Sequence, residues 1–301
     1  MSILEKIVTQ IEGIDVRHGI KMRTNIESID PAMREKGEQF LEKYLKFCKE
    51  HNKTLDYGVE SYIWMINMMM YEQVQLVSTG EYSCKSFADA NERVYNNPEV
   101  MEKYMHGLML SQFLWKHHCD VFDFFLTSIA SFKGKNVKSY LEIGGGHGLF
   151  LSEAIDILGS TVKYDCLDIS NTSLEIAKGF IDSNNVNYIH SNIFDYKPEV
   201  KYDLITMGEV IEHVEDPVSL INSLIGLLNP DGQAFITTPT NAGTLDHIYL
   251  FRNKQEILDV IDRAGFEVVS DFDVYSEDVT FEKAEKYKVP MMYAALIKPK
   301  K

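Results

Sequence analysis

The stretch that decides the fold is Val137-Lys138-Ser139-Tyr140-Leu141-Glu142-Ile143-Gly144-Gly145-Gly146-His147-Gly148. Its first seven residues, 137–143, predict a strand, and the apolar spacing over 149–158 predicts a helix, so the glycines form a strand-to-helix turn. Glycine lets backbone pass close to a ligand with unrestricted φ. In open α/β sheets the ligand cleft lies at the carboxyl ends of the strands, where this turn stands. Twenty residues beyond Gly148 comes Asp168, closing the next predicted strand, where a carboxylate can take both hydroxyls of a ribose. A nicotinamide-dinucleotide fold shares the turn and the acid, but its GxGxxG pattern requires Gly or Ala at position 149, which is Leu149. A GxxxxGK[ST] phosphate loop is absent as well.

Downstream of the turn, β-rich runs at 162–169, 186–190, 202–207, 233–237, 267–275 and 291–297 alternate with helical segments. Thr172 to Glu175 form a capping-box pattern, Asp216-Pro217 supply a cap and first-turn proline for a helix reaching 228, and a helix over 254–264 stops at Gly265. Successive βα units predict a mainly parallel sheet with helices on both faces. Upstream the chain shows helical periodicity with almost no strand alternation. Helices are expected at 2–12, 31–51, 58–79, 85–95 and 98–130, broken by Gly80 and Asn96-Asn97-Pro98. The expected architecture is thus α/β with an N-terminal all-α domain: a helical lid or oligomerisation region over 1–134 and a ligand-binding core over 135–301.

The 301 residues are 45% apolar, enough for a sizeable core, and the formal net charge is −15. That charge repels phosphate backbones and argues against a nucleic-acid partner. Cys48, Cys84, Cys119 and Cys166 show no CxxC spacing, so a zinc ribbon or disulfide framework is not indicated and a reducing cytoplasm is expected. The N-terminus carries acids and lacks a signal-peptide pattern. The most apolar early stretch, 62–77, contains Asn67, Glu72, Gln73 and Gln75 and falls short of the ~20 apolar residues of a membrane span, so it reads as a buried or interface helix. Met68, Met69 and Met70 suit an irregular seam, such as that of a homodimer.

The sequence from about 137 to 298 resembles the class I S-adenosylmethionine-dependent methyltransferases. Glu142 to Gly148 is similar to the family's ExGxGxG motif, and Asp168 stands where its ribose-binding acid stands. Asn192 in HSNIFD resembles the position, usually Asp, that reaches the adenine amino group, with Ile193 beside the ring. Tyr202 to Pro217, YDLITMGEVIEHVEDP, and LLNPDGQAFITTP resemble the next two motifs. The resemblance implies a Rossmann-like seven-stranded core with its last strand antiparallel and S-adenosylmethionine as cofactor. It implies cofactor contacts from Glu142, Gly144, Gly145, Gly146, Gly148, Asp168, Ile169, Asn192, Ile193, Met207 and Glu209. O- or N-methylation of a small polar metabolite is the expected activity. C-methyl or aminopropyl transfer on the same fold, or a non-catalytic cofactor-binding partner protein, are the alternatives; the intact motif set favours an enzyme.

A sulfonium methyl is already activated, so the protein must mainly align a nucleophile and exclude water. Removing a proton from a hydroxyl or ammonium calls for a base, and His213 and His247 border the expected acceptor pocket. No metal is expected. The alternative is ExxEH, Glu209, Glu212 and His213, which resembles a divalent-ion set of some ubiquinone-biosynthesis O-methyltransferases. Met101, Tyr104, Met105, Leu108, Gln112 and Trp115 recur along one face of the helix expected over 98–130. From this helix Tyr104, Gln112 and His117 are expected to reach the acceptor.

Overall fold

In the computed structural model, which describes residues 1–181 and 183–301, the glycine turn joins β1 (Ser139–Ile143) to α8 (Leu149–Leu158). There follow β2 (Lys163–Asp168), α9 (Asn171–Phe180), β3 (Val186–His190), β4 (Tyr202–Gly208), α10 (Pro217–Leu227), β5 (Leu228–Thr240), α11 (Lys254–Arg263), β6 (Phe266–Tyr275), α12 (Phe281–Tyr287) and β7 (Met291–Pro299). The seven strands lie in the order β3-β2-β1-β4-β5-β7-β6. β1 pairs in parallel with β2 and β4, and β7 runs antiparallel to both β5 and β6. The expected seven-stranded sheet with an antiparallel last strand is therefore present. Strand order reverses between β1 and β4, and ligands of open α/β sheets bind at such a switch point.

Strand periodicity divides the core. On β1, Tyr140 faces a cluster shared with the N-terminal helices, while Leu141 and Ile143 face a second cluster with Ile205, Ile236 and Tyr293. The first cluster runs without a break from the sheet into α1 (Ile3–Ile14), α3 (Pro31–Glu50), α4 (Leu55–Thr79), α6 (Pro98–Leu114) and α7 (Lys116–Ala130). α7 supplies Phe122 and Phe125; the Phe125 ring stacks 4.3 Å from Phe150 of α8 and packs edge-on to Phe235 of β5. This helix thus covers one face of the sheet.

Local chemistry explains most boundaries. Asp30 caps α3 with Pro31 in its first turn, Thr54 caps α4, Gly80 ends it in the left-handed region, and Asn97 caps α6 ahead of Pro98. Four points of the sequence reading are corrected. The helix expected over 98–130 is two helices, because Trp115 adopts an extended backbone and its indole N–H donates to the Tyr62 hydroxyl at 2.9 Å. The segment read as a helix over 85–95 is a short α5 (Phe87–Ala90) followed by a π-turn at Asn91–Tyr95. An unforeseen α2 (Val16–Ser28) folds back on α1, with Asp15 as its cap. Gly19, a helix breaker by local propensity, is needed there: a Cβ would lie 2.4 Å from Glu12 Cα. The capping box expected from Thr172 gives way to Ser170, whose hydroxyl accepts from Ser173 N–H.

Among the described residues no helix is long and apolar enough to cross a membrane. On α4, Met70, Tyr71, Val74 and Val77 are exposed. Gly19→Ala should lower the unfolding free energy by about 1–3 kcal/mol through overpacking. Gly226→Ala, on an open surface of α10, should raise it by about 0.5–1 kcal/mol. Urea denaturation of both variants checks the opposite signs.

Candidate active site

The carboxyl ends of β1, β2, β4 and β5 and the N-terminal helices enclose a cavity of about 1160 Å³. Gly144, Gly145 and Gly146 line it; Gly148 does not. Gly146 has φ 51°, and a Cβ there would meet nothing closer than Met105 Sδ at 3.8 Å, so any side chain would project into open space. Gly148 is required for a different reason. A Cβ on it would lie 2.8 Å from Ile181, closing the gap between α8 and α9.

The Gly146 N–H donates to Asp168 Oδ2 at 3.1 Å, and Ser170 N–H donates to Oδ1 at 2.7 Å. These bonds orient the carboxylate at the end of β2. Burial raises its pKa more than the two N–H groups lower it. Ile169, Asn192 and Ile193 line the same end of the cavity. The Asn192 side-chain oxygen accepts from Phe194 N–H at 3.0 Å, so the acceptor expected to face outward is engaged in its own turn. Met207 is corrected: it is fully buried in the second core cluster and does not line the cavity. Glu142 lines the cavity and is almost fully buried. Burial pushes its carboxyl up to about 8, against the 2.6 Å hydrogen bond donated by the Tyr140 hydroxyl.

After β4 the chain turns sharply. Glu209 has φ 52°, and its Oε1 accepts from the Thr237 hydroxyl at 2.6 Å. A short 3₁₀ turn, Ile211–His213, then buries Glu212 against Thr238 of β5 and places His213 on the cavity wall. His247 arrives from the loop after β5, its ring 4.8 Å from that of His213. The loop is fastened to this turn, because Ile248 N–H and Tyr249 N–H both donate to the Glu212 carbonyl at 2.9 Å. His213 Nε2 and His247 Nε2 each stand 3.7 Å from Glu212 Oε1. Of the ExxEH set named as the alternative metal site by resemblance, Glu212 and His213 cluster with His247, and Glu209 is turned to Thr237.

Two partners of this cluster escaped sequence reasoning. The Tyr95 hydroxyl lies 3.0 Å from His213 Nδ1 and donates to Asp246 Oδ2 at 3.1 Å. Tyr95 sits on the π-turn, 118 positions before His213, so no local pattern links them. Gln73 of α4 also reaches the loop: its amide donates to Asn241 O at 3.1 Å, and its Oε1 accepts from Gly243 N–H at 2.7 Å.

Tyr104, Gln112 and His117 all line the cavity. The Gln112 amide donates to the His118 carbonyl at 3.2 Å, fastening α6 to the start of α7. His117 stacks on Trp115, and burial pushes its imidazole down to about 4. Met69 and Met70, read as seam residues, lie on the cavity wall, together with Met101, Met105, Leu108 and Met292.

The methyltransferase-domain family matches residues 115–271. The chain is 33% identical to a malonyl-[acyl-carrier protein] O-methyltransferase of Ilyobacter polytropus, over 41% of this chain and 44% of that protein. It is 37% identical to a ubiquinone biosynthesis O-methyltransferase of Actinobacillus pleuropneumoniae, over 34% of this chain and 45% of that protein. The chain therefore spans about half the length of the curated relatives it matches. The structure of mitomycin 7-O-methyltransferase superposes with a TM-score of 0.51 at 13% identity, covering 81% of this chain and 70% of that one, a likeness of fold.

The raised Glu142 carboxyl has a measurable consequence. A folded-state pKa of about 8 against an ordinary 4.5 means that the native state holds the proton more tightly. The associated stability is fully present below about pH 4.5 and is lost as pH rises through about 8. Relative to Glu142→Gln, wild type should lose unfolding free energy across that window; urea titrations at pH 5 and pH 8.5 should show the gap.

Proposed function

Because the chain belongs to the methyltransferase-domain family, we propose that it is an S-adenosylmethionine-dependent methyltransferase that methylates an oxygen or nitrogen of a small molecule. The observation that carries this reading is the Gly146 and Asp168 cradle, opening on a cavity larger than the roughly 300–1,000 Å³ of single-ligand pockets. That volume accommodates a nucleoside cofactor and an acceptor together.

The residues present fit the cofactor. The open side of Gly146 leaves backbone accessible, and Asp168 keeps lone pairs free for a ribose diol. Ile169 and Ile193 offer apolar walls for a base, and Asn192 stands at its edge. Bound there, S-adenosylmethionine supplies a methyl group on a positively charged sulfur. The protein's own work is to hold the acceptor in line, keep water out and deal with the acceptor's proton.

His213 and His247 are the catalytic pair in this reading, lining the polar end of the cavity with Glu212 buried behind them. The acceptor has an apolar body rather than being polar throughout, since Met69, Met101, Met105, Leu108, Trp115 and Met292 supply the wall opposite.

Isothermal titration of S-adenosylhomocysteine should show binding that collapses in Gly146→Val and in Asp168→Ala. Unchanged affinity in both variants would remove the cofactor assignment. Transfer of label from the cofactor to fractionated metabolites identifies the acceptor. On that acceptor His213→Ala and His247→Ala should each reduce turnover by at least about tenfold, the lower range of proton-transfer contributions being about a hundredfold.

A further inference from the structure

The cluster of Glu212, His213 and His247 holds an arrangement that hydrogen bonding does not satisfy. His213 Nδ1 lies 3.0 Å from the Asp246 carbonyl and His247 Nδ1 2.9 Å from the Ala242 carbonyl. A carbonyl only accepts, so each Nδ1 carries the hydrogen and each Nε2 presents a lone pair. Both lone-pair nitrogens stand 3.7 Å from Glu212 Oε1, a buried oxygen with no hydrogen-bond partner; its twin, Oε2, accepts from Thr238 at 2.8 Å. Glu212 is 0% exposed. A buried acceptor left unpaired costs about 1–3 kcal/mol, and here two further acceptors converge on it.

The distance decides what belongs between them. At 3.7 Å the imidazole nitrogens are too far from the carboxylate for a shared proton to make a hydrogen bond. Two ligand atoms bound at about 2.0–2.1 Å to a tetrahedral ion stand about 3.4 Å apart, a few tenths of an ångström less than each carboxylate–imidazole separation, and the three ligand atoms all lie within 4.8 Å of one another. The supporting contacts match what metal-bound imidazoles require: each far nitrogen donates to a backbone carbonyl, fixing ring and tautomer. Tyr95 and Asp246 brace His213, and the loop carrying His247 is fastened to the Glu212 backbone. His213 and His247 border the cavity, so the side not occupied by protein faces the acceptor.

We propose that Glu212, His213 and His247 bind a single transition-metal dication whose open coordination position faces the cavity and receives an oxygen of the acceptor. Two imidazoles with one carboxylate suit zinc, cobalt, nickel or ferrous iron, whereas magnesium and calcium favour all-oxygen shells. This deepens the methyl-transfer reading by reassigning the two histidines from proton acceptors to ligands, their Nε2 lone pairs being given to the ion, which would itself lower the pKa of the bound oxygen; it rests on that reading only for the identity of the oxygen. The departure from the spacing-based ExxEH set is His247, which arrives from a separate loop.

The test uses the untagged full chain, stripped with chelator and titrated with Co²⁺ while visible ligand-field absorption is recorded, with Zn²⁺ calorimetry in parallel. The expected result is one ion per chain, with affinity reduced at least about tenfold in His247→Ala, His213→Ala and Glu212→Gln. Each protein is also titrated with S-adenosylhomocysteine, which reports both folding and the cofactor site. Lost Co²⁺ binding with retained S-adenosylhomocysteine binding in any one of the three variants supports the site. Wild type that binds S-adenosylhomocysteine but no Co²⁺ or Zn²⁺, or variants that bind the ions as wild type does, overturns it and leaves the methyl-transfer reading standing. Should wild type bind the ion in a His247-dependent manner and ignore S-adenosylhomocysteine, the metal site stands and the methyl-transfer reading falls.

Discussion

The hydrogen bond from the Gly146 amide to the Asp168 carboxylate ties the end of β1 to the end of β2, and the rest of the site is laid out from it. It exists because the strands are parallel and in register, with Ile143 opposite Leu167, so both chains leave the sheet at one level. A slip of one residue would turn every β1 side chain to the other face and carry the turn away from the acid. The same parallel register sets the end of β4 beside the glycine turn, Ile143 opposite Met207, and the end of β5 beside β4. Four strand ends therefore converge on one edge of the sheet, and the cavity is the space they leave.

The N-terminal helices close that space and also reach its polar end. Gln73 bonds the loop that carries His247, Tyr95 bonds His213 and Asp246, and Phe87 N–H bonds Glu215 at 2.8 Å. Each such bond contributes about 0.5–1.5 kcal/mol net, too little to place a loop alone. Close packing adds the constraint: a Cβ on Gly243 would lie 2.5 Å from the backbone nitrogen of Gln73, so α4 and the loop are already in contact. Cover and chemistry are consequently one mechanical unit, and helices distant in sequence from the histidines help to set their geometry.

Much of this was readable beforehand. The strands and the glycine turn follow from two-residue and helical periodicities, the antiparallel last strand was implied by the family resemblance, and most caps follow from Asp, Asn, Thr, Ser and Pro at helix starts. Where reading failed, a long-range contact had overruled a local preference. Gly19 stays helical because α1 requires close approach, and Trp115 interrupts a continuous helical pattern because its indole finds Tyr62. Met207 matched a motif position, yet alternation along β4 directs it into the core. Glu209 shares a helical-looking ExxEH spacing with His213, but the chain there is a strained turn and a 3₁₀ element, and the Glu209 carboxylate is turned to the Thr237 hydroxyl.

Turn chemistry and apolar period act over a few residues, and for that reason the order of strands and helices and the glycine-turn edge of the sheet are written locally in the chain. The polar end of the cavity is not. Glu212, His247, Asp246 and Tyr95 come together from a 3₁₀ turn, a loop and a π-turn. Their convergence, and the unpaired oxygen at its centre, arise from packing between segments that carry no mark of one another in sequence.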